Sequence, residues 1–259
     1  MDGVPGEWIV PANAVFHRRL LYLHGGGYVM GSLNTHRHLS AAIAQATGCA
    51  VLTADYRLAP EHPYPAAVDD AFAAYCFLRE TGSDGPGRGA TPFIAGDSAG
   101  AGLAVAAMLT ARDAGLPLPA AGILLSAWAD LTIAGESYQT RREADPFVRK
   151  EGISQLAAMY LGDADPCASL GSPLYADLHG LPPLLMQVGD AEVLLSDTTT
   201  FAELARAAGV NVQVEIWPEM FHVFQHYYQV FPEGRQAIDR IGEFVRSLSP
   251  SEDPRAWPG

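Results

Sequence analysis

The residues Gly96-Asp97-Ser98-Ala99-Gly100 set a serine between two glycines, with the apolar run Pro92 to Ala95 ahead of them and the alanine-rich run Ala101 to Ala111 behind. A strand that turns into a helix over so few residues crowds the backbone on both sides of the serine. The positions two before and two after it must therefore lack side chains. Such a turn holds a hydroxyl out at the top of a sheet, where a neighbouring base can make it a nucleophile. The chemistry that suits it is acyl transfer, in which the hydroxyl adds to a carbonyl and negative charge collects on the carbonyl oxygen. His24-Gly25-Gly26-Gly27, which follows the apolar run Leu20 to Leu23, offers donors for that charge, because three consecutive glycines leave loop amides free to point at an oxygen. One such donor is worth about 3 kcal/mol of transition-state stabilisation.

A serine nucleophile needs a base and an acid, which in this arrangement follow it in the order acid, then histidine. The histidines after Ser98 are His179, His222 and His226. His222 comes after the alternating run Val212 to Trp217 and a Pro218-Glu219 turn, which puts it on a loop at the C-terminal edge of a strand, where catalytic residues of α/β sheets collect. His226 reads as a partly exposed surface histidine, and His179 sits in a turn with no strand behind it. For the acid, Pro183 to Val188 reads as a buried strand ending in Gly189-Asp190-Ala191-Glu192. Asp190 and Glu192 both stand on the right loop, and one carboxylate suffices to orient the imidazole. Asp197 precedes a helical run through Ala208 and is expected to cap it. Asp97, next to the serine, points another way in so tight a turn and is expected to anchor nearby loops. Tyr28, Trp128, Val193 and Phe221 flank the motifs and are expected to line a narrow substrate pocket.

The elements that must carry these residues are short apolar strands at Leu20–Leu23, Ala50–Ala54, Pro92–Ala95, Ala121–Ser126, Pro183–Val188 and Val212–Trp217, alternating with longer helical runs. That alternation implies an α/β fold with a mostly parallel central sheet and helices on both faces. The 259 residues suffice for a single domain over the whole chain. About residues 130–178 the alternation breaks, with a charged run at Arg141-Arg142-Glu143 and a helical stretch from Glu151 to Leu161; a helical cap insertion is expected there.

A net charge of −13 disfavours nucleic acid and anionic membranes as partners. No run of about 18 apolar residues marks a membrane span, no signal peptide is visible, and three scattered cysteines fit a reducing compartment, so a cytoplasmic location is expected. No phosphate loop or dinucleotide fingerprint occurs, and no cofactor is expected. No metal site is expected either: His36-Arg37-His38 reads as a polar helix start.

Taken together, four segments resemble the hormone-sensitive-lipase-like, or bacterial type IV, esterases of the α/β-hydrolase superfamily. They are His24 to Tyr28, Asp55-Tyr56-Arg57-Leu58-Ala59-Pro60-Glu61-His62-Pro63-Tyr64-Pro65-Ala66-Ala67, Gly96 to Gly100, and Trp217-Pro218-Glu219-Met220-Phe221-His222-Val223. The resemblance implies an α/β-hydrolase fold and a serine carboxylic-ester hydrolase acting on short- to medium-chain acyl esters with water as the second substrate. A lactone or amide hydrolase is the alternative within that chemistry. A non-catalytic small-molecule-binding protein is the alternative outside it, because plant gibberellin receptors resemble the family but lack the histidine that His222 supplies here. The resemblance also places the oxyanion amides at Gly26, Gly27 and Ala99. It favours Glu192 over Asp190 as the acid, although the family's commoner residue there is aspartate. Asp55 to Ala67 is expected to be structural, with Arg57 and Glu61 pairing. Family members carry several tens of residues ahead of the first strands, whereas only Met1 to Arg19 precede His24 here, so a shortened N-terminal cap is expected. The apolar surface around Tyr28 would then stay partly uncovered, closed by a homodimer or left as a wide entrance.

Overall fold

The computed structural model describes residues 1, 3–15, 18–87 and 92–248. Seven strands form one sheet: β1 (Gly6–Ile9), β2 (Arg19–Leu23), β3 (Ala50–Ala54), β4 (Phe93–Asp97), β5 (Gly122–Leu125), β6 (Leu184–Gly189) and β7 (Val212–Trp217). Their spatial order is β1-β3-β2-β4-β5-β6-β7. Every pairing is parallel except β1 with β3, which is antiparallel.

Strands buried on both faces read as unbroken apolar runs, and their side chains alternate between two cores. Leu21, Leu23, Ile94, Leu124, Leu184 and Met186 pack on one face of the sheet. Leu20, Tyr22, Phe93, Ala95, Ile123, Leu125 and Leu185 pack on the other. Helices α2 (Ala66–Glu80), α3 (Ala99–Asp113) and α6 (Leu195–Ala207) cover the first face; α1 (Leu33–Thr47) and α7 (Pro232–Leu248) cover the second. In α7 the buried residues Gly234, Ala237, Ile238, Ile241, Gly242 and Val245 follow helical spacing, so one stripe meets the sheet and the charged side meets water.

The expected strands all form, with ends displaced by a residue or two; β4 runs on to Asp97, which brings the serine turn to the strand's C-terminal edge. β1 was not expected. It is a four-residue, partly exposed edge strand with prolines close to both ends, and it carries neither a long apolar run nor a clean alternation. Between β5 and β6 lie a short helix α4 (Ser137–Thr140), helix α5 (Lys150–Leu161) and a 3-10 turn at Pro173–Tyr175. The buried side of α5 presents Ile153, Ala157, Tyr160 and Leu161 to the rest of the fold.

Two expected contacts do not form. Arg57 pairs with Asp70 on α2, with Nη2 2.7 Å from Oδ1, while Glu61 is exposed. The crossing segment is thus tied to a helix rather than to itself. Asp197 does not cap α6 either, since a helix cap made by a side chain is absent there. Its carboxylate accepts from the amides of Ala129 and Asp130 and from the Tyr138 hydroxyl, joining α6 to the start of the 130–178 segment. Burial, followed by the charge of Asp130, pushes this carboxyl up to about 8, so it stays largely protonated near neutral pH.

Candidate active site

Ser98 sits between β4 and α3 with φ 53° and ψ −121°, a left-handed conformation that costs a non-glycine residue about 1–3 kcal/mol. The strain holds because its neighbours permit no other path. A Cβ on Gly96 would run into the Gly100 carbonyl, and a Cβ on Gly100 into the Leu23 carbonyl. The Ser98 amide is held by the Leu125 carbonyl at 2.8 Å and its own carbonyl by the Trp128 amide at 3.1 Å, which leaves the side chain as the group that faces outward.

His222 approaches from the loop after β7. Its Nε2 lies 3.0 Å from Ser98 Oγ, and its Nδ1 lies 3.0 Å from Glu192 Oε2. Glu192 is fully buried, and its other oxygen accepts from the Ser126 hydroxyl at 2.7 Å and from the Gly189 amide at 2.6 Å. Asp190 points elsewhere: its Oδ1 accepts from the Glu219 amide at 2.7 Å. Of the two acids the residue types left open, Glu192 is the one in contact with His222. Burial alone would lower the imidazole, but the hydrogen bond and charge of Glu192 outweigh it, with Asp145 and Asp97 adding to the same effect. The net shift is upward, toward the imidazolium.

The amides of Gly26, Gly27 and Ala99 make no hydrogen bond to protein acceptors among the described residues. Ala99 opens α3, so its N–H also carries the positive end of the helix dipole. The glycine loop is fixed from below. Asp97 accepts from the Gly25 amide at 3.1 Å and the Tyr22 hydroxyl at 2.7 Å, and lies 3.3 Å from His36 Nε2, so it anchors the loop and α1 rather than touching His222. His24 is buried, stacked on Tyr56, whose hydroxyl donates to the His24 carbonyl at 2.6 Å.

Ser98 and His222 open into a cavity of about 680 Å³, with Met30, Trp128, Phe147, Ile153 and Leu156 among its apolar walls. Of the four side chains expected there, only Trp128 is in the wall. Tyr28 is buried beneath it, stacked on Tyr160 of α5 at 3.8 Å between ring centres, so the surface around Tyr28 is covered rather than bare. Val193 is fully buried, and Phe221 packs against Phe147 outside the cavity. His226 is not a loose surface group: it lines the same cavity, edge-on to His36. His179 is exposed and bonded to Asp177 within its own turn.

Two supporting residues escaped the sequence reading. Ser126, at φ 47°, donates to Glu192 and accepts from the Val223 amide at 3.1 Å, tying the acid to the histidine loop. Its place directly after the β5 run was the available signal. Asp145, fully buried, accepts from the amides of Val193, Phe147 and Val148 and so binds the 130–178 segment to the acid's loop. No spacing marks it.

A family profile described as alpha/beta hydrolase fold matches residues 20–226. An acetyl-hydrolase of Streptomyces hygroscopicus is 51% identical over 243 residues, covering 94% of this chain and 80% of that protein. An esterase of Acinetobacter venetianus is 40% identical over 249 residues, covering 96% and 80%. Among solved structures, an esterase from the bacterial hormone-sensitive lipase family superposes with a TM-score of 0.90 at 52% identity, covering 95% of this chain and 82% of that one. A hormone-sensitive lipase from a metagenome library gives 0.91 at 42%, covering 95% and 83%. The likeness extends across the sheet, the glycine loop, the serine turn and the histidine loop alike, and the chain belongs to the α/β hydrolase fold, within the bacterial hormone-sensitive-lipase family of esterases.

Proposed function

We propose that this protein hydrolyses carboxylic esters of short- to medium-chain acids through an acyl-enzyme on Ser98, with His222 as base and Glu192 as its orienting acid. The observation that carries the reading is the unbroken chain from Ser98 Oγ to His222 Nε2 and from His222 Nδ1 to Glu192 Oε2, each step 3.0 Å, beside three amides with no protein acceptor. Ser98 Oγ adds to the ester carbonyl as its proton passes to His222 Nε2, and the imidazolium is stabilised by the buried charge of Glu192. The carbonyl oxygen, now negative, is held by the amides of Gly26, Gly27 and Ala99. His222 returns the proton to the departing alcohol, leaving an acyl group on Ser98. Water then adds by the same proton path, and the acid leaves as the serine is restored.

The 130–178 segment acts in this reading as a cap. Ile153 and Leu156 of α5 stand in the cavity wall, and a Cβ on Gly27 would strike Leu156, so α5 limits the room over the glycine loop. An apolar cavity of this size suits acyl chains of about two to eight carbons. No described helix is long and apolar enough to cross a membrane. The three free cysteines support a reducing, cytoplasmic setting. The exposed apolar residues Met30, Phe147 and Val230 support a homodimer that covers this rim, and sedimentation would read a dimer or overturn it with a monomer.

A p-nitrophenyl ester series tests the reading. Butyrate should turn over faster than palmitate on the purified protein; the reverse order, or no turnover of any member, contradicts it.

A further inference from the structure

The cavity floor holds a group of side chains that ester hydrolysis does not use. Among the described residues, His36, Asp97 and His226 each offer a ligand atom within 4.8 Å of the others. They come from α1, from the end of β4 and from the turn after the histidine loop, so nothing in sequence spacing reveals them. All three line the cavity that Ser98 opens into.

The hydrogen bonds around them are directional. Thr35 Oγ1 donates to the Ser32 carbonyl at 2.9 Å and therefore accepts from His36 Nδ1 at 2.8 Å. The neutral His36 ring then carries its proton on Nδ1, and Nε2 turns a lone pair toward Asp97 Oδ2 at 3.3 Å. Tyr22 and Gly25 both donate to the other oxygen, Oδ1, so Oδ2 has no further donor. Two lone pairs thus face each other unless a cation lies between them. A separation of 3.3 Å matches two ligands at about 2.0–2.1 Å from one tetrahedral metal, which lie roughly 3.3–3.5 Å apart. His226 closes the third side. Its Nδ1 is 3.3 Å from His38 Nε2, which orients the ring as an outer partner orients a metal-binding histidine, while Nε2 makes no hydrogen bond to protein among the described residues.

We propose that His36, Asp97 and His226 form a binding site for a divalent transition-metal ion of the zinc class, open to water on the cavity side. Two imidazoles and a carboxylate select this class over magnesium or calcium, which take oxygen ligands. The ion would stand in the cavity that holds Ser98, so its occupancy would oppose substrate entry and make the site inhibitory.

Co²⁺ serves as the probe, because its visible bands report coordination without any substrate. Titrated into tag-free protein, it should give bands between about 500 and 650 nm that saturate at one ion per chain, with imidazole ligation implied by their intensity. The Ser98→Ala protein should bind equally well. His226→Gln, at a partly exposed position, should weaken binding about tenfold or more, with circular dichroism confirming its fold. Absence of bands in the wild-type protein, or an unchanged titration in His226→Gln, would overturn the site. A protein that binds Co²⁺ yet hydrolyses no ester would leave this site standing and overturn the proposed function instead.

Discussion

The floor of the cavity and its cover are built on different principles. The floor is made of backbone: a strained serine turn, a glycine loop and a histidine loop, all at the C-terminal edge of parallel strands. Its geometry is set by close approaches that only glycine permits and by buried hydrogen bonds to Glu192 and Asp97. The cover is made of side chains. α5 lays Ile153 and Leu156 over the glycine loop and is tied down through Asp145, which grips the acid's loop from the far side. Changes to the floor should therefore abolish the chemistry, whereas changes to the cover should alter what is admitted to it.

The largest effects belong to the floor. Ser98→Ala or His222→Ala should each cut turnover by about a millionfold, since members of such a unit lose nearly everything singly. Steady-state kinetics on folded protein checks this. Glu192→Gln comes next: it keeps the shape but removes the charge that steadies the imidazolium, and should cost roughly 10⁴ in kcat. Asp190→Asn should cost less than about tenfold, because that carboxylate serves only the Glu219 amide. Comparable losses in the two variants would erase the distinction drawn between them.

The pH profile sharpens the same point. Deprotonation of Ser98 needs neutral His222, and Glu192 favours the charged form. The acid limb of kcat/KM should therefore have a midpoint above the ordinary histidine value of about 6.5. In Glu192→Gln the residual activity should show that midpoint moved to lower pH. The shift also contributes stability, present below the ordinary histidine value and lost as pH rises through the raised one.

The floor was legible in the sequence because its requirements are local. Gly96, Ser98 and Gly100 must follow one another in a turn, and strands buried on both faces leave runs such as Leu20–Leu23. Residue type could not choose between Asp190 and Glu192, which stand two apart on one loop; the donors that single out Glu192, Ser126 and Gly189, are in contact only after β5 and β6 pair. The cover was not legible. Its wall residues come from a segment far along the chain, so the flanking side chains Tyr28, Val193 and Phe221, though close to the motifs in sequence, lie outside the cavity. The histidine group shows the same limit, since His36 and His226 meet only through the fold.

Smaller effects belong to the links and the cover. Ser126→Ala removes the donor to Glu192 and leaves the Val223 amide without its acceptor, at about 1–3 kcal/mol of stability, which thermal or denaturant unfolding would read. Leu156→Ala should widen the space over the glycine loop and raise the octanoate-to-butyrate ratio of kcat/KM by up to about tenfold, with kcat for acetate little changed. An unaltered chain-length profile would remove α5 from the specificity surface.

The central claim is that Ser98, activated by His222, forms the acyl bond. Intact-mass and peptide-mapping spectrometry after exposure to a fluorophosphonate tests it most directly. The account predicts one adduct per chain on Ser98, none in Ser98→Ala, and labelling slowed by orders of magnitude in His222→Ala. An adduct on another residue, or undiminished labelling of Ser98→Ala, would contradict it.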